Sequence, residues 1–268
     1  NAKSGVCAQN CRFCAQSRHH NTGIETYDLL PAEEVLEAAR KAHDAGVRAF
    51  GYVTSGYGYK TVTPEFRQIL DTLDLLHKEL PELKICVSIG ILSRETAKLL
   101  AEHHAWRYNM NLQTSPKRYA ELIADTHTIE DKIATIKYLQ EFGVTNCTGG
   151  IFGLGETWEQ RVELLETEKE CGVDSLPVNL LDPVPGTRME HQKLLEPWEA
   201  LRCVALARLV SPEKDVILCG GRLPTLGDGS SWALAAGANG IMTGNYLTTK
   251  GCGYDDDDAM FRFLGVRG

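Results

Sequence analysis

No run of 18 or more apolar residues occurs in the 268-residue chain, so nothing in it reads as a membrane span. Positive charge is not in excess: 28 Lys and Arg stand against 36 Asp and Glu, a net charge of −8, which argues against nucleic acid as the main partner. No secretory signal is visible, and a cytoplasmic location is expected. No GxGxxG follows the first strand-like run, which removes support for a dinucleotide fold. The glycine-rich turn Thr148–Thr157 lacks the Lys-Ser/Thr of a P-loop, which argues against ATP hydrolysis. Cysteine is the exception to this thinness, with nine residues. In a chain this long, with three of them packed near the start, an intracellular metal protein is a better reading than a secreted disulfide scaffold.

Those three are Cys7, Cys11 and Cys14, spaced C-x3-C-x2-C with Phe13 before the last. Eight residues are too few to staple a fold. Soft thiolates at this spacing suit three irons of a [4Fe–4S] cube, leaving the fourth iron open to a small molecule. A zinc site would pair C-x2-C with a second C-x2-C or with His at matched spacing, and no such partner follows. The motif resembles the signature of radical S-adenosylmethionine (SAM) enzymes, in which the open iron chelates SAM and the cluster reduces it to a 5′-deoxyadenosyl radical. The first cysteine lies six residues from the start, which leaves room for an N-terminal segment outside this chain.

The remainder alternates strand-like and helix-like stretches. Helices are expected at Pro31–Ala45, from Thr63-Pro64 onward, from Ser93 to about His104, and at Pro116–Ala124, Ile129–Phe142, Trp158–Cys171, Pro197–Val210 and Ser231–Ala236. Strands are expected at Ala49–Thr54, Lys84–Ile89, Arg107–Leu112, Thr145–Ile151, Ser175–Leu180, Asp215–Cys219 and Gly240–Thr243, with an eighth just before Cys7. Unbroken βα alternation gives a parallel sheet, and eight units favour an α/β fold of the (β/α)8 TIM-barrel type in a single domain, residues 1–268. The cysteine loop then lies at the C-terminal face of the barrel, where barrel chemistry sits. The acidic run Asp255–Asp258 reads as a solvated turn rather than a metal site.

Cys86, Cys147 and Cys219 fall on the third, fifth and seventh strands by this count. Alternate strands feed one interior layer, so three thiols at one level could hold a second metal centre, with Arg222 three residues after Cys219. Each alone could equally be a small buried hydrophobe. Cys171 and Cys203 lie in helices and read as structural; Cys252, in a glycine-flanked loop, stays unassigned. Asn109, Asn111 and Gln113, two apart, share a strand face, and Asn179 lies on another strand. Such amides either hold a ligand or satisfy each other. The turn through Gly149, Gly150 and Glu156 allows close approach of a ligand to backbone.

Nearly the whole chain resembles the biotin synthase family. The resemblance runs through Asn1–Gly5 and the cysteine loop, Tyr108–Ser115, Gly149–Thr157, Leu176–Thr187 and Ala235–Thr249. It implies a (β/α)8 barrel, SAM and dethiobiotin as ligands, and sulfur insertion between two unactivated carbons. It also implies an auxiliary iron–sulfur cluster as sulfur source, usually [2Fe–2S], held by three Cys and one Arg. Cys86, Cys147 and Arg222 match three of those ligands; Asn111 and Asn179 match positions that contact SAM or dethiobiotin; Gly149, Gly150 and Glu156 match the turn beside SAM. A flavodoxin- or ferredoxin-like electron donor and a homodimer are expected. Two departures stand out. The family's remaining auxiliary cysteine falls at Gly51, whereas Cys219 stands where the family has a small non-ligand residue. The ligand count is kept, the cluster is expected to shift toward the seventh strand, and a four-iron form becomes plausible. Gln113 replaces a usual acid, so a ribose contact to SAM would be made by an amide.

Overall fold

Several helices begin where the sequence supplies a side-chain cap, and several end where a glycine allows the chain to turn. The computed structural model describes residues 1–266. Helix α1 (Ala32–Asp44) buries Val35, Ala39 and Ala42, carries Glu33 and Glu34 in its first turn and Lys41 and His43 in its last, and stops before Gly46 at φ +78°. Strands β1 (Ala49–Val53) and β2 (Gly58–Tyr59) follow. Helix α2 (Pro64–Glu79) opens with the Thr63 hydroxyl accepting from the Phe66 N–H and buries Phe66, Ile69, Leu70, Leu73 and Leu76. Next come β3 (Lys84–Ser88), β4 (Ile91–Leu92), α3 (Arg94–Glu102) and β5 (Arg107–Asn109). After a 3-10 turn, Pro116–Arg118, lie α4 (Tyr119–Leu122) and α5 (Ile129–Glu141). Then follow β6 (Thr145–Cys147), β7 (Gly150–Phe152), α6 (Trp158–Glu170), β8 (Ser175–Leu180), α7 (Pro197–Val210) and β9 (Asp215–Leu218). The chain finishes with α8 (Arg222–Leu226), α9 (Trp232–Ala235), β10 (Gly240–Ile241) and α10 (Tyr254–Phe263). None of these helices is long and apolar enough to cross a membrane.

The main sheet is parallel throughout and runs β1-β3-β5-β6-β8-β9-β10, with β7 also on β8. The expected strand before Cys7 is present in reduced form. Lys3 bridges Thr54 in parallel, the Ala2 N–H donates to Val53 O at 2.7 Å, and the Ser55 N–H donates to Lys3 O at 3.0 Å. Among the described residues no ladder joins β10 to this segment, so the sheet curls as a barrel arc with a seam.

The expected single strand Thr145–Ile151 is two. The Thr148 N–H donates to Ser175 O, so residues 175, 177 and 179 aim their backbone groups at β6 and β7. Residue 177 is proline and has no N–H to give. The Gly149 carbonyl faces the other way, toward the chain after β5, and accepts from Gln113 N at 3.1 Å. A side chain at Gly149 would collide with the Pro177 carbonyl oxygen. Strand β5 is also shorter than expected. Its register pairs Asn109 with Cys147, yet Gln113 bridges Gly150, so one extra residue is taken up between them. Gln113 adopts φ +76°, a conformation rare for a residue with a side chain. The acidic run is a correction to the sequence reading: Asp255–Asp258 form the first turn of α10, and Asp257 is buried.

The sheet's two faces differ. Tyr52, Ile85, Val87, Tyr108, Leu176, Val178, Val216 and Leu218 pack with the helices in one core. The alternate positions carry small or polar side chains in register rows: Gly51, Cys86, Arg107 and Thr145 in one, Asn109, Cys147, Ser175 and Asp215 in another. Most TIM barrels fill that interior with branched apolar residues; this one keeps it small and polar.

The Gly149–Pro177 approach sets a test. Gly149→Ala forces backbone apart and is expected to cost about 1–3 kcal/mol, read as a lower urea midpoint with an unchanged slope. An unchanged midpoint would show that the two strands have room to separate.

Candidate active site

The cysteine loop is shaped by backbone before any ligand is considered. Gly5 and Val6 are both left-handed, at φ +78° and +55°, which turns the chain out of the sheet just before Cys7. The loop closes on itself through Cys7 N–H to Gln16 O (2.9 Å), Arg18 N–H to Cys7 O (2.8 Å) and Cys14 N–H to Cys11 O (3.1 Å). It is tied to the chain just after β1 by the Ser55 hydroxyl donating to Gly5 O, and to the segment before α5 by Arg12 N–H to Ile123 O and Asn10 Nδ2 to Asp125 Oδ1. The three thiols feel one another. Burial pushes Cys11 up to about 11, with Lys132 pulling the other way and Cys7 adding to the rise. Burial and the neighbouring Cys11 push Cys14 up to about 12. Such thiols ionise when iron takes the proton's place.

Two groups at the start of α5 face this loop. His127 Nε2 lies 3.8 Å from Cys11 Sγ, and burial lowers its pKa to about 4, so the ring is neutral. It stands edge-on to Tyr57 and Tyr119. Lys132 is 7% exposed, donates to Asn111 O at 2.7 Å, and is lowered to about 8 by burial while Cys11 and Cys14 pull it up. Sequence reading passed over both. Lys132 did leave a signal, since it interrupts the buried stripe of Ile129, Ile136 and Leu139. Nearby, Gln9, His20, His127 and Gln113 each bury a polar side-chain atom with no partner in the protein. Atoms of this kind are completed by a polar ligand. Among the described residues no three His, Cys, Asp or Glu side chains converge on the point a single ion would fill. A cluster does not ask for that, because each thiolate binds its own iron. The loop fits a cluster with SAM beside it.

The amides behave differently from one another. Asn111 Oδ1 accepts from Asn109 Nδ2 (2.9 Å) and from Gly149 N (3.2 Å), so its oxygen is occupied and its NH2 is free. Asn179 Nδ2 donates to Gly150 O (3.0 Å) and its Oδ1 accepts from Gly220 N (3.1 Å), bracing β7 against the end of β9. The glycines of the turn serve packing. A side chain at Gly150 would meet Leu164, as one at Gly149 would meet Pro177. Glu156 is engaged within the protein: its Oε1 accepts from Gly153 N (2.9 Å) and Arg161 Nε (2.7 Å), holding the turn's shape.

Deeper in the barrel, Cys86, Cys147 and Cys219 come near enough that Cys86 and Cys147 raise the Cys219 pKa, after burial, which is the larger cause. Burial likewise raises Cys86 and Cys147. Cys147 and Cys219 stand outside the apolar core, whereas Cys203 is part of it. Gly51 is the register partner of Cys86, and a Cβ there would meet nothing within 4 Å. Arg222, 1% exposed, gives its Nη2 to both oxygens of Asp257, at 2.7 and 2.5 Å, and lies near Cys219. Its charge is thus matched by an acid that the sequence reading left in solvent.

A model of the radical SAM superfamily matches residues 2–167, and a model of the biotin and thiamin synthesis associated domain matches residues 177–267. A biotin synthase of Pelodictyon phaeoclathratiforme (strain DSM 5477 / BU-1) is 47% identical over 257 residues, 96% of this chain and 76% of that protein. One of Chlorobium phaeobacteroides (strain BS1) is 44% identical over 264 residues, 98% of this chain and 78% of that protein. The chain belongs to the biotin synthase family. Among solved structures, methylornithine synthase matches with a TM-score of 0.82 at 19% identity, covering 98% of this chain and 80% of that one. That likeness speaks for the fold, a radical SAM barrel. For a biotin synthase, then, the expected fold and cysteine loop are in place, while the interior thiols are distributed differently from the resemblance.

Cys11→Ala removes one of three iron ligands. Anaerobically reconstituted protein is expected to lose stable four-iron binding at the loop and all 5′-deoxyadenosine formation. A variant that cleaves SAM at the normal rate would place the cluster elsewhere.

Proposed function

We propose that this chain inserts sulfur into dethiobiotin from an auxiliary iron–sulfur cluster held by Cys86, Cys147 and Cys219, with Cys219 replacing the thiol absent at Gly51. The observation that carries this is the approach of three thiols from β3, β6 and the end of β9 within the polar barrel interior. As a member of the biotin synthase family the chain works by radical SAM chemistry. When bound, the loop cluster supplies an electron to SAM and the auxiliary cluster supplies sulfide.

The protein's own residues then have separable tasks. Cys7, Cys11 and Cys14 hold the loop cluster, and His127 sets its Nε2 3.8 Å from the Cys11 sulfur. Lys132 brings a buried cation to a region of negative thiolates, and its ammonium suits the carboxylate of SAM. Asn111 offers only donors, so it suits an acceptor on SAM or dethiobiotin. Gln113, held left-handed with its oxygen unpartnered, suits a ribose hydroxyl. Asn179 keeps one N–H for ligand while bracing the strands. Arg222 with Asp257 flanks Cys219 as a fixed ion pair. The main sheet runs through both matched stretches, which supports a single domain. A flavodoxin- or ferredoxin-like donor, a homodimer and a cytoplasmic setting complete the proposal.

Asn111→Asp keeps the acceptor oxygen and removes the free NH2. Affinity for SAM or dethiobiotin is expected to fall about 5- to 150-fold, the equivalent of roughly 1–3 kcal/mol, with thermal stability retained. Unchanged affinity for both would make the amide structural.

Cys219→Ala is expected to keep SAM cleavage, lose the iron of the second cluster and stop biotin formation. Adding Gly51→Cys to that variant puts a thiol into open space opposite Cys86 and is expected to restore both. Biotin formation with a full iron count in Cys219→Ala would move the auxiliary site, with Cys252 the next thiol to test.

A further inference from the structure

Arg107 lies on the inner face of β5, in register with Cys86 on one side and Thr145 on the other. Its charge acts on both Cys86 and Cys147, lowering each. Its guanidinium carbon sits 4.2 Å over the Trp106 ring, its Nη2 reaches Asp215 Oδ2 at 3.7 Å across the start of β9, and its Nε is buried without a partner. The side chain therefore floors the barrel beneath the thiols.

The two interior arginines are not equivalent. Arg222 is bonded to Asp257, whose side chain is 7% exposed, so a full carboxylate charge offsets it in a dry setting. Arg107 faces Asp215 at a distance beyond a hydrogen bond, and that carboxylate is 53% exposed and already accepts from Asn239 Nδ2 at 2.8 Å. Water screens such a partner, so more of the Arg107 charge is felt in the interior. Glu168 is buried near Cys147 with both oxygens unpartnered, and burial raises its pKa well above the usual carboxylate range, which weakens it as an opposing charge.

We propose that Arg107, rather than Arg222, supplies the net positive charge that balances the auxiliary cluster from below, setting how readily that cluster is reduced. This rests on the auxiliary-cluster reading above. It makes Arg107 a positioning residue for charge; no iron–nitrogen bond is required of it. Net charge is one of the factors that set iron–sulfur potentials.

The test compares wild type with Arg107→Gln, Arg107→Lys and Asp215→Asn, each loaded anaerobically with iron and sulfide. Iron and sulfide per chain are measured, and the auxiliary cluster is titrated reductively with spectroscopic detection. Arg107→Gln is expected to make the auxiliary cluster about tenfold harder to reduce, 59 mV for one electron, with the loop cluster unmoved. Arg107→Lys keeps the cation and stays near wild type. Asp215→Asn keeps the cation and removes its opposing charge, so the midpoint rises; this variant also serves if Arg107→Gln does not fold. Identical titrations for wild type and Arg107→Gln overturn the inference. A fall in Asp215→Asn matching that of Arg107→Gln overturns it too, because the arginine would then be a strut. Wild type holding a single cluster sinks the auxiliary reading itself, and the iron count separates that result from the other two.

Discussion

Thiolates inside a barrel pose an electrostatic problem before a chemical one. An isolated charge in a low-dielectric interior is strongly disfavoured unless opposite charge or metal accompanies it. Burial raises Cys11, Cys14, Cys86, Cys147 and Cys219 alike. The cations of the interior are disposed accordingly. Lys132 stands beside the loop, Arg107 beneath the inner thiols, and Arg222 beside Cys219. Interior positions that other barrels fill with Val, Ile or Leu are here Gly51, Cys86, Asn109, Cys147 and Ser175, and the packing burden shifts to the sheet's outer face.

The sequence announced the alternation of strands and helices because the buried stripes are regular: Phe66, Ile69, Leu70 and Leu73 on α2 repeat at helical spacing, and Thr63, Ser93, Thr128 and Thr157 cap where caps are needed. The cysteine loop was equally plain, since its spacing is local. What escaped was non-local. Nothing in the strand Thr145–Ile151 betrays its break, because the cause, Pro177, lies on the next strand. Asp257 could not be told from its three acidic neighbours without knowing that Arg222 would meet it. Glu156 looked like a ligand because its turn is glycine-rich; its partner Arg161 lies five residues on, in the first turn of α6, a pairing that only the folded turn reveals. His127 and Arg107 carry no motif, and only the fold brings them to sulfur.

The proposed exchange of Gly51 for Cys219 illustrates how a barrel interior could tolerate relocation of a ligand. Neighbouring strands present side chains to a common volume, so a ligand is defined by the point it reaches rather than by the strand it leaves. Gly51 leaves open space opposite Cys86, and Cys219 approaches Cys86 and Cys147 from the far side. The extra thiol follows Leu218 at the end of β9, beside Gly220 and within reach of the Tyr246 hydroxyl, which donates to Cys219 O at 2.8 Å. The segment carrying Tyr246 thereby fixes the backbone of the cysteine without occupying its sulfur.

Strand β1 is a ruler. At Gly51 it borders the inner thiols; four residues on, just past its end, Ser55 grips the loop through Lys3 O and Gly5 O. Four steps of extended chain measure roughly 13 Å. Because one extended segment carries both marks, the cysteine loop and the inner thiols are held at a common separation. On the proposed reading, that separation sets the length of substrate that both sites can serve.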